Sequence, residues 1–183
     1  MWPPTLEDDQ VVLRPIDPGD RESIYSVLST TPDIARWTRV PFPYERTHLQ
    51  QFFSLVETWH GARSDAVWAM TSPDDARLRG CIGAHRIGAP WRARSGFLPD
   101  EPGYWLMPEA RGRGSMTRAL TLVTDWLLDD LGRPEVNIQV KVGNAASRAV
   151  IERVGFVHTG TVLATEVDDD PMPVDHERFV LRR

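Results

Sequence analysis

"PEARGRGSMTRAL", residues 108–120, sets two glycines and three arginines against the start of a stretch that turns apolar at helical spacing. The first N–H groups of a helix have no partner within it, and its aligned peptide dipoles place roughly half a positive charge at that end, so an anion is stabilised there. Gly112 and Gly114 let the backbone turn with positive φ and let a ligand approach closely, while Arg111 and Arg113 supply charged donors suited to phosphate oxygens. Two phosphate-binding motifs fail on inspection. A nucleotide P-loop needs a lysine where Ser115 follows Gly114, and a dinucleotide fingerprint needs a third glycine where Thr117 stands. An RGG-type RNA segment is repetitive and disordered, whereas this one leads into an amphipathic helix. On composition alone, a solvated strand-to-helix turn stays open as the alternative to an anion site.

Working outward, the helix after the glycines carries Ala119, Leu120, Val123, Trp126, Leu127 and Leu131 on one face and stops at Gly132-Arg133-Pro134. Before it, "PGYWLMP" (102–108) reads as a strand. "AVWAMTS" (66–72) and "RGCIGAHRIGA" (79–89) read as an antiparallel pair joined by the polar turn "PDDAR". Nearer the N-terminus, "VVLRPI" (11–16) is a short strand, followed by a helix through Ile24, Tyr25, Val27 and Leu28. Residues 31–44 read as a proline-punctuated loop, and Thr47 is placed to cap a second helix carrying Leu49, Phe52, Phe53, Val56 and Trp59. Downstream, "VNIQVKV" (136–142) alternates strictly, with Val136, Ile138, Val140 and Val142 facing one way and Asn137, Gln139 and Lys141 the other. Asn144 caps a short helix with Val150, Ile151 and Val154 that ends at Gly155, and two strands near 156–164 and 175–182 flank the acidic turn "DDDP". The predicted order is β-α-α-β-β-β-α-β-α-β-β, an α/β chain of about seven strands whose strand–helix–strand step over residues 104–142 needs a right-handed crossover.

At 183 residues the chain reads as one domain, residues 1–183, and its net charge of −5 argues against a nucleic-acid binder. Of the 21 basic residues only Lys141 is a lysine, and Cys81 is the single cysteine, which excludes an internal disulfide framework. His48, His60, His85, His158 and His176 show no metal-binding spacing, so no metal is expected; His85, on a central strand, is retained as a remote proton-transfer candidate. "MWPPTLEDDQ" lacks the features of a signal peptide and no apolar run reaches membrane-spanning length, so a soluble cytoplasmic protein with no membrane partner is expected.

"GYWLMPEARGRGSMTRAL" (103–120), followed by "GNAASRAVIERVGF" (143–156), resembles the GNAT superfamily of acyl-CoA-dependent N-acyltransferases, in its RimJ/RimL-like branch. "LRPID" (13–17) and "IARWTRVPFPYE" (34–45) resemble the same branch, so the likeness covers nearly the whole chain. It implies a single-domain GNAT fold with a central mixed, mostly antiparallel sheet and helices on both faces. It also implies acetyl-CoA as cosubstrate, its pyrophosphate on the backbone of Arg111, Gly112, Arg113, Gly114, Ser115 and Met116. The pattern has a small residue where Met116 stands, so that side chain has to point away from the phosphates. By the same resemblance the strand of Tyr104, Trp105, Leu106 and Met107 would splay away from the next parallel strand, and the pantetheine arm would fill the gap by pairing with its backbone, with an amide near Leu106 polarising the thioester carbonyl. Asn144 would hydrogen-bond the arm, a role compatible with that of a plain helix cap.

Many members of the superfamily carry a tyrosine acid where this chain has Ile151. The resemblance assigns the donor to the leaving thiolate to Ser147 and the base, acting through water, to Glu166. Their rival readings are a first-turn serine satisfying backbone and a solvated acid beside Asp168, Asp169 and Asp170. Arg36, Trp37, Arg39 and Phe42 would form the acceptor wall, with ordinary core as the other reading of Trp37 and Phe42. An α-amine of pKa about 7.8 is roughly a tenth neutral at pH 7, against on the order of one in two thousand for lysine, and a weak carboxylate base suits the first. The expected function is therefore acetylation of a primary amine, foremost a protein or peptide N-terminus, by direct attack in a ternary complex. A small amine or aminoglycoside acceptor, or a non-catalytic acyl-CoA-binding protein, are the alternatives. A homodimer is plausible by the same resemblance.

Overall fold

Both faces of the strand formed by residues 66–72 are buried, and that requirement sets the layers of the molecule. A computed structural model describes residues 2–90, 98–163 and 174–183. Strands β1 (Leu6–Glu7), β2 (Val12–Pro15), β3 (Ala66–Ser72), β4 (Asp75–His85) and β5 (Glu101–Leu106) form one antiparallel sheet in that order. β6 (Val136–Lys141), β7 (Val157–Val162) and β8 (His176–Leu181) form a second, with β8 in the middle. The helices are α1 (Arg21–Thr30), α2 (Pro32–Trp37), α3 (Arg46–Ala62), α4 (Ser115–Asp125) and α5 (Ala145–Val154).

Because side chains along a strand alternate between faces, β3 feeds two cores. Ala66, Trp68 and Met70, with Ile82 and Ala84 of β4, pack against Leu120 and Val123 of α4 and Ile151 of α5. Val67, Ala69 and Cys81 pack instead against Ile24 and Leu28 of α1 and Leu49, Phe53 and Val56 of α3. Each such apolar side chain contributes about 1.5–3 kcal/mol on burial, which fixes α4 and α5 on one face and α1 and α3 on the other.

Several expectations are corrected. The proline-rich segment contains α2, because Pro32 at the first helical position forgoes an N–H that has no helical acceptor anyway. Glu45, not Thr47, caps α3: its carboxylate accepts from the His48 backbone, and its own N–H donates to His48 Nδ1 at 3.0 Å. The helix after the glycines does not run straight to Leu131. It passes into one π turn over Trp126–Asp130, closed by a bond from the Leu131 N–H to the Trp126 carbonyl at 3.0 Å. The sheet is parted between β5 and β6, as the resemblance implies, and eight strands are present among the described residues, against about seven expected.

The polar face of β6 is buried rather than solvated. Asn137 donates to the Pro99 carbonyl at 3.3 Å and Lys141, 3% exposed, donates to the Thr38 carbonyl at 3.4 Å, while Val142 lies beyond the strand and is exposed.

The N-terminal segment is tied into the first core. Trp126 meets Trp68 edge-on at 5.2 Å and Trp2 at 5.2 Å. The Trp68 indole donates to the Pro4 carbonyl at 2.7 Å, and that of Trp2 to the Asp65 carbonyl at 3.2 Å. No helix among the described residues is long and apolar enough to cross a membrane.

Candidate active site

The division between the sheets falls between β5 and β6, which advance in the same direction: Pro99 faces Asn137 and Glu101 faces Gln139. No backbone ladder joins them. At the first residue of β5 the join is made by a side chain. The buried Glu101 carboxylate accepts from the Gln139 backbone N–H and the Gln139 amide, each at 3.2 Å, and from the Leu98 N–H. Burial pushes its carboxyl above the usual range, although those donors and the nearby charge of Arg39 favour the ionised form. Beyond Glu101 the strands stand apart.

The register of β5 decides which groups face the opening. The Met107 N–H donates to the Arg79 carbonyl at 2.9 Å, in step with the β4–β5 pairing. Polar groups of successive strand residues point to opposite sides, so those of Leu106 and Tyr104 point away from β4, into the gap. The gap opens into a cleft of about 940 Å³, lined by α2, α3, β4, β5, β6 and α5 and ending at the bend before α4.

In that bend Gly112 and Gly114 have φ of +75° and +76°, a conformation that costs an ordinary L-residue about 1–2 kcal/mol. Gly114 caps α4 without a side chain, so the amides of Ser115, Met116 and Thr117 are the orphan donors of a helix start and face the cleft's end. Met116 is 4% exposed and belongs to the first core, so its side chain does point away from the anion position. Arg111 latches the bend to α2, pairing with Asp33 at 2.9 Å and reaching the Leu106 carbonyl at 3.4 Å. Arg113 is exposed at the turn.

On the opposite bank, Asn144 accepts from the Ser147 N–H at 3.1 Å as the cap of α5. Ser147 Oγ lies 2.8 Å from the Tyr104 hydroxyl, a pairing that sequence reasoning missed because 43 residues separate the two. Burial pushes the Tyr104 phenol up to about 12, opposed by its bond to Ser147, so it holds its proton at neutral pH. Ile151, at the superfamily's tyrosine position, is fully buried in the core.

Of the residues expected at the site, Tyr104, Trp105, Leu106, Arg111 to Met116, Asn144, Ser147, Trp37 and Arg39 line the cleft. Met107 packs into the second core instead. Phe42 is 49% exposed and Arg36 stacks on the Trp37 ring at 4.7 Å; neither lines the cleft. Glu166 lies outside the described residues, as do Asp168, Asp169 and Asp170. Cys81 is in the cleft floor, but burial pushes its thiol well up, so it carries no thiolate for a covalent acetyl step.

Residues 10–157 match the family model described as an acetyltransferase (GNAT) domain. The uncharacterized N-acetyltransferase YoaA of Bacillus subtilis strain 168 is 24% identical over 162 residues, covering 87% of this chain and 86% of that protein. The putative ribosomal N-acetyltransferase YdaF of the same organism is 35% identical over 86 residues, 47% of this chain and 44% of its own. The solved structure of Mycobacterium smegmatis RimJ in complex with CoA-disulfide superposes with a TM-score of 0.79 at 20% identity, over 99% of this chain and 88% of that one. At that identity the likeness is one of fold.

Proposed function

The chain belongs to the acetyltransferase (GNAT) domain family and is an acetyl-CoA-dependent N-acetyltransferase, and we propose that its acceptor is the N-terminal amine of a protein or peptide. The observation that carries the reading is the parted β5–β6 pair. It exposes the Tyr104 and Leu106 backbone to a cleft that ends at the α4 N-terminus. Diphosphate at that terminus, with the pantetheine arm along β5, delivers a thioester to the middle of the cleft, where the Leu106 N–H is the donor for its developing oxyanion.

Direct attack by the amine needs a proton for the departing sulfur. Ser147 donates it, resupplied by the Tyr104 hydroxyl 2.8 Å away. General-acid help of this kind supplies on the order of 10²–10⁴ in rate, so Ser147→Ala is expected to lower kcat about 100-fold. Tyr104→Phe, which keeps the strand and removes only the relay, should lower kcat about tenfold with little change in KM for acetyl-CoA. Steady-state kinetics on both variants check this; equal kcat in wild type and Ser147→Ala would remove the donor assignment.

The charge at the acceptor end favours a peptide over a polyamine. Among the described lining residues Arg39 and Lys141 are there, Lys141 donating to the Thr38 carbonyl, and the acids are Asp33, paired with Arg111, and Glu101, bound to Gln139. A polycation meets repulsion from these cations. The likeness to YdaF, a putative ribosomal N-acetyltransferase, supports a protein acceptor. Thiol release from acetyl-CoA should be at least about tenfold higher in kcat/KM for N-terminal peptides than for spermidine or aminoglycosides, following the larger neutral fraction of an α-amine. Preference for a polyamine would overturn the acceptor, and coenzyme A binding with no turnover on any amine would favour the non-catalytic alternative.

A further inference from the structure

Outside the groups assigned above, the strongest unexplained arrangement is on the α1–α3 face of β4 and β5. Directly opposed residues of an antiparallel pair share a face, and three such pairs follow one another: His85 with Glu101, Gly83 with Gly103, and Cys81 with Trp105. Cys81 and Trp105 pack with the second core, which fixes the face. The glycine pair between them leaves bare backbone one step, or about 7 Å, from His85. A Cβ added at Gly83 would stand 3.0 Å from His85 Nε2, so the imidazole leans over that glycine into the bare patch.

The orientation of the ring is fixed from behind. His85 Nδ1 lies 3.1 Å from Asp65 Oδ1, which also accepts from the Arg86 N–H at 3.2 Å. Asp65 is 8% exposed; burial opposes its charge, but the His85 bond and the other donors outweigh it and hold the carboxyl below its usual range. An ionised carboxylate only accepts, so Nδ1 carries the ring proton and Nε2 is the basic nitrogen. The edge of Trp59 packs against the ring at 6.1 Å. Across the strand, Glu101 has its oxygens committed to Leu98 and Gln139.

We infer that Asp65 and His85 act as a pair in which His85 Nε2 accepts the proton of the acceptor amine, over a landing made by Gly83 and Gly103. The inference rests on the acetyltransferase reading. An arm lying along β5 from the bend toward Tyr104 brings its thioester to the edge of this patch. The amine enters as R–NH3⁺ and yields one proton to Nε2. Its nitrogen forms the C–N bond, the C–S bond breaks, and Ser147 protonates the thiolate while the second nitrogen proton restores the Ser147–Tyr104 pair. His85 then releases its own proton to water.

The test uses two peptides differing only in the basicity of their N-terminal amine, one beginning with alanine and one with 3,3,3-trifluoroalanine, whose amine is already neutral. With the alanine peptide, His85→Ala and His85→Gln should lose on the order of 100-fold in kcat, and Asp65→Asn about tenfold, with coenzyme A affinity within twofold of wild type. With the trifluoroalanine peptide the His85 losses should shrink to about threefold, because there is little proton to remove. Equal losses on both peptides would make His85 a packing residue and overturn the inference. So would an amine-dependent loss in Glu166→Gln with none in His85→Ala, which would give the proton to Glu166. Wild-type enzyme that binds coenzyme A yet acetylates no amine would overturn the acetyltransferase reading and the dyad together. Active wild type with an indifferent His85→Ala would overturn the dyad alone.

Discussion

Gly114→Asp raises the dissociation constant for coenzyme A about 100-fold and leaves the melting temperature nearly unchanged. The separation of the two effects is the point of the substitution. Aspartate is among the few side chains that accept the left-handed conformation Gly114 holds, and a Cβ there meets no heavy atom within 4 Å, so the fold has little to resist. What changes is charge at the mouth of α4. A carboxylate about 4 Å from a phosphate is repelled by roughly 4 kcal/mol at an effective dielectric constant of 20, and screening at an exposed turn reduces this to about 2–3 kcal/mol. That is on the order of 100-fold in affinity. Gly114→Ala, with strain and no charge, should lose about tenfold. Calorimetric titration with coenzyme A reads both; an unchanged affinity in Gly114→Asp would mean the cosubstrate's phosphates bind somewhere other than this bend.

Glu101→Ala should be the most destabilising single change near the cleft, by about 2–6 kcal/mol, because it strands the buried Leu98 and Gln139 N–H groups at about 1–3 kcal/mol each. Glu101→Gln keeps an acceptor oxygen and removes a charge that burial disfavours, so it should cost less than about 2 kcal/mol. Wild type also separates from both variants by pH. The folded carboxyl sits above its unfolded value, so the protonated form stabilises wild type fully below the ordinary glutamate range. That contribution is lost as pH rises through the folded value. Glu101→Gln lacks the slope. Urea unfolding across that interval measures it, and an Ala variant as stable as wild type would show that the strands need no such clasp.

What the sequence made legible was local. The bend and α4 are written in Gly112, Gly114 and the apolar spacing that follows, and Asn144 is readable as a cap because its partner, the Ser147 amide, lies three residues on. The GNAT fold followed from those motifs and their order, and the family match over residues 10–157 bears it out. The parting of β5 from β6 was implied by the resemblance, but the clasp that holds their start together was not legible, because it depends on Glu101 reaching Gln139 across 38 residues. The burial of Asn137 and Lys141 on β6 was not legible for the same reason: their partners Pro99, Thr38 and Arg178 come from distant segments. Asp65 had no local signal either, since a lone acid before a strand acquires meaning only when His85 is brought to it, 20 residues later. Pro32 misled in the other direction, marking a loop where it opens α2.

The indole of Trp2 grips the carbonyl of Asp65, and the carboxylate of that same residue aims the imidazole of His85. The segment at Trp2 is thus moored to the back of the proton-accepting pair. A load applied at Trp2 is carried through Asp65 toward the imidazole, so exchanging that indole for a ring without an N–H loosens the back of the pair and leaves its front untouched.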